Sequence, residues 1–200
     1  MSRKSSLGLV LSFFVLVLIG SPLLAEEGSD EKDTRFYARE YMSETEALSY
    51  QKESDSDRVK TKTIRLNKKE VRRVRKNQRV KMYTDTYRIH RIFREGADQP
   101  YRYALPIQET GQHEFMDLIY GVNKDGTIHR IDLLVYREPY GSEIESRRFM
   151  RQFEGRSLED SEFRVNLDVI HIAGATISAQ SVARGTRRVL EILRLRDMIP

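Results

Sequence analysis

An α+β fold with a twisted, mainly antiparallel sheet flanked by helices is the architecture this 200-residue sequence predicts. Several strand-like segments lie close enough in sequence to pair as hairpins, the clearest joined at Asn123-Lys124-Asp125-Gly126, where Asp-Gly supplies the turn. Helical segments with start signals are mixed in among them. No segment repeats another, which excludes a solenoid or propeller.

The elements follow in chain order. Ser43-Glu44-Thr45-Glu46 opens a short helix, with Ser43 as N-cap, Glu46 three residues on, Ala47 and Leu48 facing the core and Tyr50 a further candidate to face it. Asn67-Lys68-Lys69-Glu70 caps a second helix whose thin apolar stripe is Leu66, Val71 and Val74. Strand material is expected over 81–85, 86–93 and 101–107, then over 115–122 and 127–136 as the hairpin. Alternation in 128–135 is imperfect, as in a strand covered on both faces. Residues 146–152 read as a helix ended by Gly155, and 167–172 as a short last strand. A final helix over 178–196 places Val182, Val189, Ile192 and Leu193 on one face.

Composition narrows the chemistry. The sequence has no cysteine, so disulfides, thiolate metal sites, cysteine nucleophiles and CxxCH haem attachment are excluded. No HExxH, EF-hand, Walker A or GxSxG pattern occurs, and His90, His113, His129 and His171 are not spaced as a metal pair. Residues 1–25 read as a secretory signal, with Arg3 and Lys4 before an uncharged apolar run over 7–20 and a small residue, Ala25, at the cleavage position. An uncleaved N-terminal anchor is the alternative. Residues 26–40 read as a flexible acidic linker, and 41–196 as one domain, outside the cytoplasm and periplasmic in a two-membrane cell. Residues 62–94 carry thirteen Lys or Arg against Glu70 and Asp85. They read as a solvated helix face followed by basic strands, or as a patch for anionic lipid, nucleic acid or an acidic partner; the net charge of +5 includes Arg3 and Lys4, and what remains without them is too mild to imply nucleic acid by itself.

The strongest functional signal is Ala173-Gly174-Ala175-Thr176-Ile177-Ser178, placed just before the last helix. A helix entrance offers unpaired amides and about +0.5 of a charge from the helix dipole, which suits a phosphate. Gly174 lets the backbone approach, Ala173 and Ala175 leave room, and Thr176 and Ser178 bring hydroxyls. A helix-entry cap is the alternative role for the same hydroxyls.

That block resembles the Ser/Thr-Gly-Ala-Thr-x-Ser flavinylation motif of a known FMN-binding domain. The domain is shared by the covalent-flavin subunits of the Na+-translocating NADH:quinone reductase and of the Rnf complex; exported single-domain FMN-binding proteins are the closer likeness. Tyr136-Arg137-Glu138-Pro139-Tyr140-Gly141-Ser142-Glu143-Ile144 is similar to the family's loop after the hairpin. Gln152-Phe153-Glu154-Gly155-Arg156, Gly111-Gln112-His113-Glu114 and Tyr41-Met42-Ser43-Glu44-Thr45-Glu46-Ala47 resemble further blocks, in the family's order. The chain departs from the pattern at Ala173, where Ser or Thr is usual, and at Ile170, where Asp is usual.

The resemblance implies a single FMN-binding domain that carries electrons between redox partners rather than a stand-alone catalyst. Thr176 would be joined by a phosphoester to FMN, an attachment made by a periplasmic FAD:protein FMN transferase. The redox partner would be a second protein, a membrane electron-transfer protein being one candidate. Gly174, Ala175, Ser178 and Ala173 would line the phosphate. Glu138 would contact either the flavin ring or the neighbouring backbone, Glu143 likewise, and His113 would serve as a proton relay or as a structural histidine. A flavin-free binding or assembly module with a degenerate motif is the other reading.

Overall fold

The computed structural model describes residues 38–200. The signal segment expected over 1–25, and the expected linker up to residue 37, lie outside the described residues. Eleven short elements form one antiparallel sheet with helices on it. The strands are β1 (Arg39–Glu40), β2 (Arg58–Arg65), β3 (Thr86–Phe93), β4 (Arg102–Thr110), β5 (Phe115–Asn123) and β6 (Ile128–Tyr136). The helices are α1 (Glu44–Ser49), α2 (Lys68–Gln78), α3 (Arg147–Met150) and α4 (Thr176–Leu195), with a 3-10 turn at Ser142–Glu145.

Strand order is β1-β6-β5-β4-β3-β2, every neighbour antiparallel, as the α+β expectation requires. The capping signals form as read. Ser43 Oγ accepts from Glu46 N–H at 3.1 Å. Asn67 and Glu70 close a reciprocal capping box on α2, satisfying donors that a helix end leaves open. The hairpin turn is held by Asp125, whose carboxylate accepts from Thr127 N–H at 2.9 Å, with Gly126 at φ 88°. Two register shifts in the β5–β6 pair explain the imperfect alternation, because each extra residue on β6 reverses the face of its neighbours.

Both faces of the sheet are partly covered. The main core joins one face to α2, α3 and α4, with Ile89, Leu105, Leu118 and Ile131 meeting Val74, Phe149, Val182 and Val189. A smaller cluster on the other face packs Ile92, Ala104, Ile119 and Leu134 under Ala47 of α1. Among the described residues, no helix is long and apolar enough to cross a membrane.

The structure departs from expectation at five places. Residues 58–65 form edge strand β2, which the hydrophobic pattern hides because only Ile64 of its eight residues is buried. Residues 81–85 are not a strand; Tyr83 leaves the sheet and bonds Thr110 Oγ1 at 2.7 Å. Residues 167–172 contribute a lone bridge, Val165 to Val169, because Asn166 at φ 69° folds the chain into a turn and leaves Leu167 and Ile170 exposed. Residues 39–40, assigned to the linker, pair with Tyr136 and Val135 of β6. At the other end the core extends past 196, since Ile199 is buried in it.

Candidate functional site

The 173–178 segment forms a tight turn leading directly into α4. Gly174 sits at φ 84°, a conformation that suits glycine, and the space where a side chain would project is open, with Glu143 Oε1 the nearest atom at 3.9 Å. Ala175 is the N-cap and is buried. Its N–H donates to Ile172 O at 3.0 Å and its carbonyl accepts from Ala179 N–H at 2.8 Å. Alanine carries no side-chain acceptor, so no side-chain hydrogen bond caps the helix. Thr176 is therefore the first residue of α4 rather than a residue ahead of it, and it is half-buried.

Opposite the turn stands the end of β6 and the loop after it. Tyr136 Oη donates to Tyr140 O at 2.5 Å and exchanges a hydrogen bond with Ser178 Oγ at 2.7 Å. Burial raises the Tyr136 pKa, so the phenol stays protonated and available as a donor. Gly141, at φ 85°, lets the loop pass against this pair. Arg39 straps the same loop, donating to Ser142 Oγ at 3.1 Å and Glu138 O at 3.3 Å, with its guanidinium 5.7 Å from the Tyr136 ring centroid.

Glu138 is 3 % exposed, and its function in the fold is clear. Its Oε1 accepts from His113 N–H at 2.6 Å and Glu114 N–H at 2.8 Å, pinning the 111–114 loop. Gly111 lies directly under the Glu138 carboxylate, with no room for a Cβ. These are the backbone contacts anticipated for Glu138.

Between these walls lies a cavity of about 350 Å³. Gln112, His113 and Glu138 line one side, Gly174, Thr176 and Ser178 the other, and Pro139, Tyr140 and Ile177 the mouth. That volume falls within the range of small-molecule sites. Four exposed large apolar side chains lie on this turn and its neighbouring loops: Tyr140 (83 %), Ile170 (77 %), Leu167 (72 %) and Ile177 (42 %).

Five of the eight residues singled out in the sequence thus line one cavity, although 38 positions separate Glu138 from Thr176. The other three do not line it. Ala173 is exposed at the turn, Ala175 is packed into the core, and Glu143 stands beside Gly174. Ser178 spends its hydroxyl on Tyr136, so what it offers toward the cavity is its backbone N–H at the third helical position. Arg184 and Arg187, further along α4, bond elsewhere: Arg184 donates to Thr110 O at 2.9 Å and Arg187 to Phe163 O at 2.5 Å. His171 pairs with exposed Asn166 at 2.6 Å.

Sequence reasoning missed Tyr136 and Arg39 as parts of this site. Tyr136 reads as an ordinary inward strand position, and Arg39 carries no local signal because its partners lie about a hundred residues away. Gly141 was visible within the loop block, but its reason, the Tyr136–Ser178 bond beside it, is tertiary.

Chemically, the site offers backbone N–H groups, one hydroxyl at a helix entrance and an apolar rim. It has no nucleophile–base pair, and among the described residues no cluster of three His, Asp or Glu could hold a metal. A larger cavity, about 550 Å³, opens where β3 and β4 splay apart. Their pairing stops at Ala104, two residues before Pro106, which has no N–H to give. That cavity holds none of the eight candidate cofactor-binding residues, and its buried Arg188 is already matched by Glu109 at 2.8 Å.

No family model and no curated protein matches this sequence. Among solved structures, the crystal structure of Shewanella oneidensis NqrC is similar to it with a TM-score of 0.49 and 15 % identity. The match covers 70 % of this chain and 82 % of that one.

Proposed function

We propose that this chain is an exported flavoprotein that binds FMN at the 173–178 turn, through a phosphoester to Thr176, and relays electrons between redox partners. The observation that carries the reading is the position of Thr176. It is the first residue of an uncapped helix, it lines a ligand-sized cavity, and the glycine turn before it is open. The amides of Thr176, Ile177 and Ser178 are the donors that a helix start leaves without intrahelical acceptors, and the dipole favours an anion there.

These residues fit the phosphate end of FMN, and bound FMN would supply reversible electron transfer at its isoalloxazine. The chain does the holding. Gly174 admits the phosphate without steric conflict, Ala175 anchors the turn by packing into the core, and Ala173 contributes space but no hydroxyl. Glu138 fixes the wall that carries His113, Glu143 flanks the turn, and Tyr140 and Ile177 offer apolar surface to a planar ring. An ester at Thr176 would keep the cofactor from diffusing away outside the cell. A FAD:protein FMN transferase would make it, with the Thr176 hydroxyl replacing AMP on the FMN phosphate.

A flavin-free binding module is the second reading, favoured by one observation: Glu138 and the Ser178 hydroxyl are already engaged within the protein. One experiment separates the two. The chain is co-expressed in a periplasm with the transferase, denatured, and examined by in-gel flavin fluorescence and intact mass. One added FMN is expected, abolished by Thr176→Val. An unmodified chain that also fails to bind FMN in an equilibrium titration overturns the flavin reading; FMN binding without added mass overturns the ester alone.

A further inference from the structure

Cations on the far edge of the sheet lack acidic partners among the described residues, and Arg58 donates only to a backbone carbonyl, Ala97 O, at 2.7 Å. Arg58, Lys60 and Lys62 alternate along β2, so they share one face of the sheet with Arg91, which lies directly opposite Lys60. Arg58, Lys60 and Arg91 converge on the single ring of Phe93, their charged groups 5.8, 5.3 and 5.9 Å from its centroid. Like charges directly opposed on a sheet repel. Neighbouring cations are matched: Arg65 with Asp85, Arg88 with Glu44 and Arg94 with Glu53. Among the described residues no acid pairs with Arg58, Lys60, Lys62 or Arg91. Arg91 Nε is buried with no hydrogen-bond partner.

The same side of the sheet carries α2, which buries Val74 in the main core. Its opposite face presents Lys69, Arg72 and Lys76, at spacings of three and four residues and all exposed. On that side of the sheet the face of β2 and the outer face of α2 are thus both basic and exposed. We infer that this surface docks the protein onto an anionic phospholipid bilayer.

Three features favour a bilayer over other polyanions. A specific protein interface needs an apolar centre, and Val59, the one exposed large apolar side chain on β2 or α2, points to the opposite face of β2. Single-stranded nucleic acid needs exposed aromatic rings to stack on, whereas Phe93 is 4 % exposed beneath its cations. A charged bilayer requires only flexible cations near its plane, each contributing independently. The geometry also leaves the cavity free. Arg58 and Phe93 mark one end of the strands, while Thr110, Phe115 and Tyr136, beside the cavity, mark the other.

The test is co-sedimentation of the full chain with phosphatidylcholine vesicles and with vesicles that also contain phosphatidylglycerol, at low and high salt. Binding is expected only to the anionic vesicles and is suppressed by salt. Lys60→Gln/Arg72→Gln, both exposed, should weaken it roughly 25-fold, at about fivefold per cation. Arg88→Gln/Arg94→Gln removes the same charge away from this face and should change it less than about twofold. Urea melts of both variants confirm folding. Equal binding to neutral vesicles, equal losses from the two double variants, or binding to heparin or single-stranded DNA but not to vesicles, would each overturn the inference.

Discussion

Gly141→Ala tests whether the loop beside the cavity is held in place by the Tyr136–Ser178 pair. A methyl group at residue 141 would stand 2.8 Å from Ser178 Oγ and 2.9 Å from Tyr136 Oη, closer than real Cβ contacts allow. Two costs add. Holding a non-glycine residue at φ 85° costs about 1 kcal/mol. Displacing the two hydroxyls weakens the Tyr136–Ser178 and Tyr136–Tyr140 bonds, each worth about 1 kcal/mol net. The total is about 3 kcal/mol, or roughly 6–12 °C in melting temperature for a domain of this size. Gly155→Ala is the matched control, because Gly155 has φ 74° but nothing within 4 Å of the added methyl. It should lose only the backbone part, about 1 kcal/mol. Urea unfolding of the two variants, read against wild type, gives the difference. Equal losses would mean that the crowding at Gly141 has no energetic weight, and the account of the loop would fail.

Further outcomes follow from the same contacts. Glu138→Ala removes the acceptor of two amides, and with charge-assisted bonds at about 1.5 kcal/mol or more each it should cost about 3 kcal/mol. Hydrogen exchange at His113 and Glu114 should accelerate; unchanged protection there would refute the clamp. The pKa of Glu109 is raised to about 7, chiefly by burial, which outweighs Arg188 and Arg184 beside it. Its folded pKa exceeds its unfolded one, so the folded state holds the proton longer and stability falls as pH rises from about 4.5 to about 7, by up to about 3 kcal/mol. Glu109→Gln should remove that part of the slope. His90 and His129 oppose it, since burial lowers both, and comparing the two profiles isolates Glu109. Identical pH profiles for Gln and wild type would contradict the assignment.

What the sequence disclosed and what it hid divide along a physical line. Ser43, Asn67 and Asp125 act on groups within a few residues, so their roles follow from local chemistry alone. The hairpin was legible for the same reason. β2 was hidden because an edge strand with solvent on both faces needs no hydrophobic alternation. The strand expected over 167–172 was the opposite error: Leu167, Val169 and Ile170 have strand-like chemistry, yet no neighbouring strand is there to pair with them. At the cavity, the turn and its loop were visible as blocks. Their junction through Tyr136 and Arg39 depends on the β1–β6 pairing, which is set by distant contacts.

The ties between α4 and β4 set how the cavity can respond to a ligand. Ser181 Oγ and Arg184 both donate to Thr110 O, and Arg188 meets Glu109 at 2.8 Å. Thr110 is the last residue before the loop that carries His113, and Ser181 lies little more than one turn into the helix that begins at Thr176. The two jaws are thus clamped to each other just behind their tips. A ligand therefore meets a fixed gauge rather than a hinge, and its affinity is set by how well it matches the gap already there.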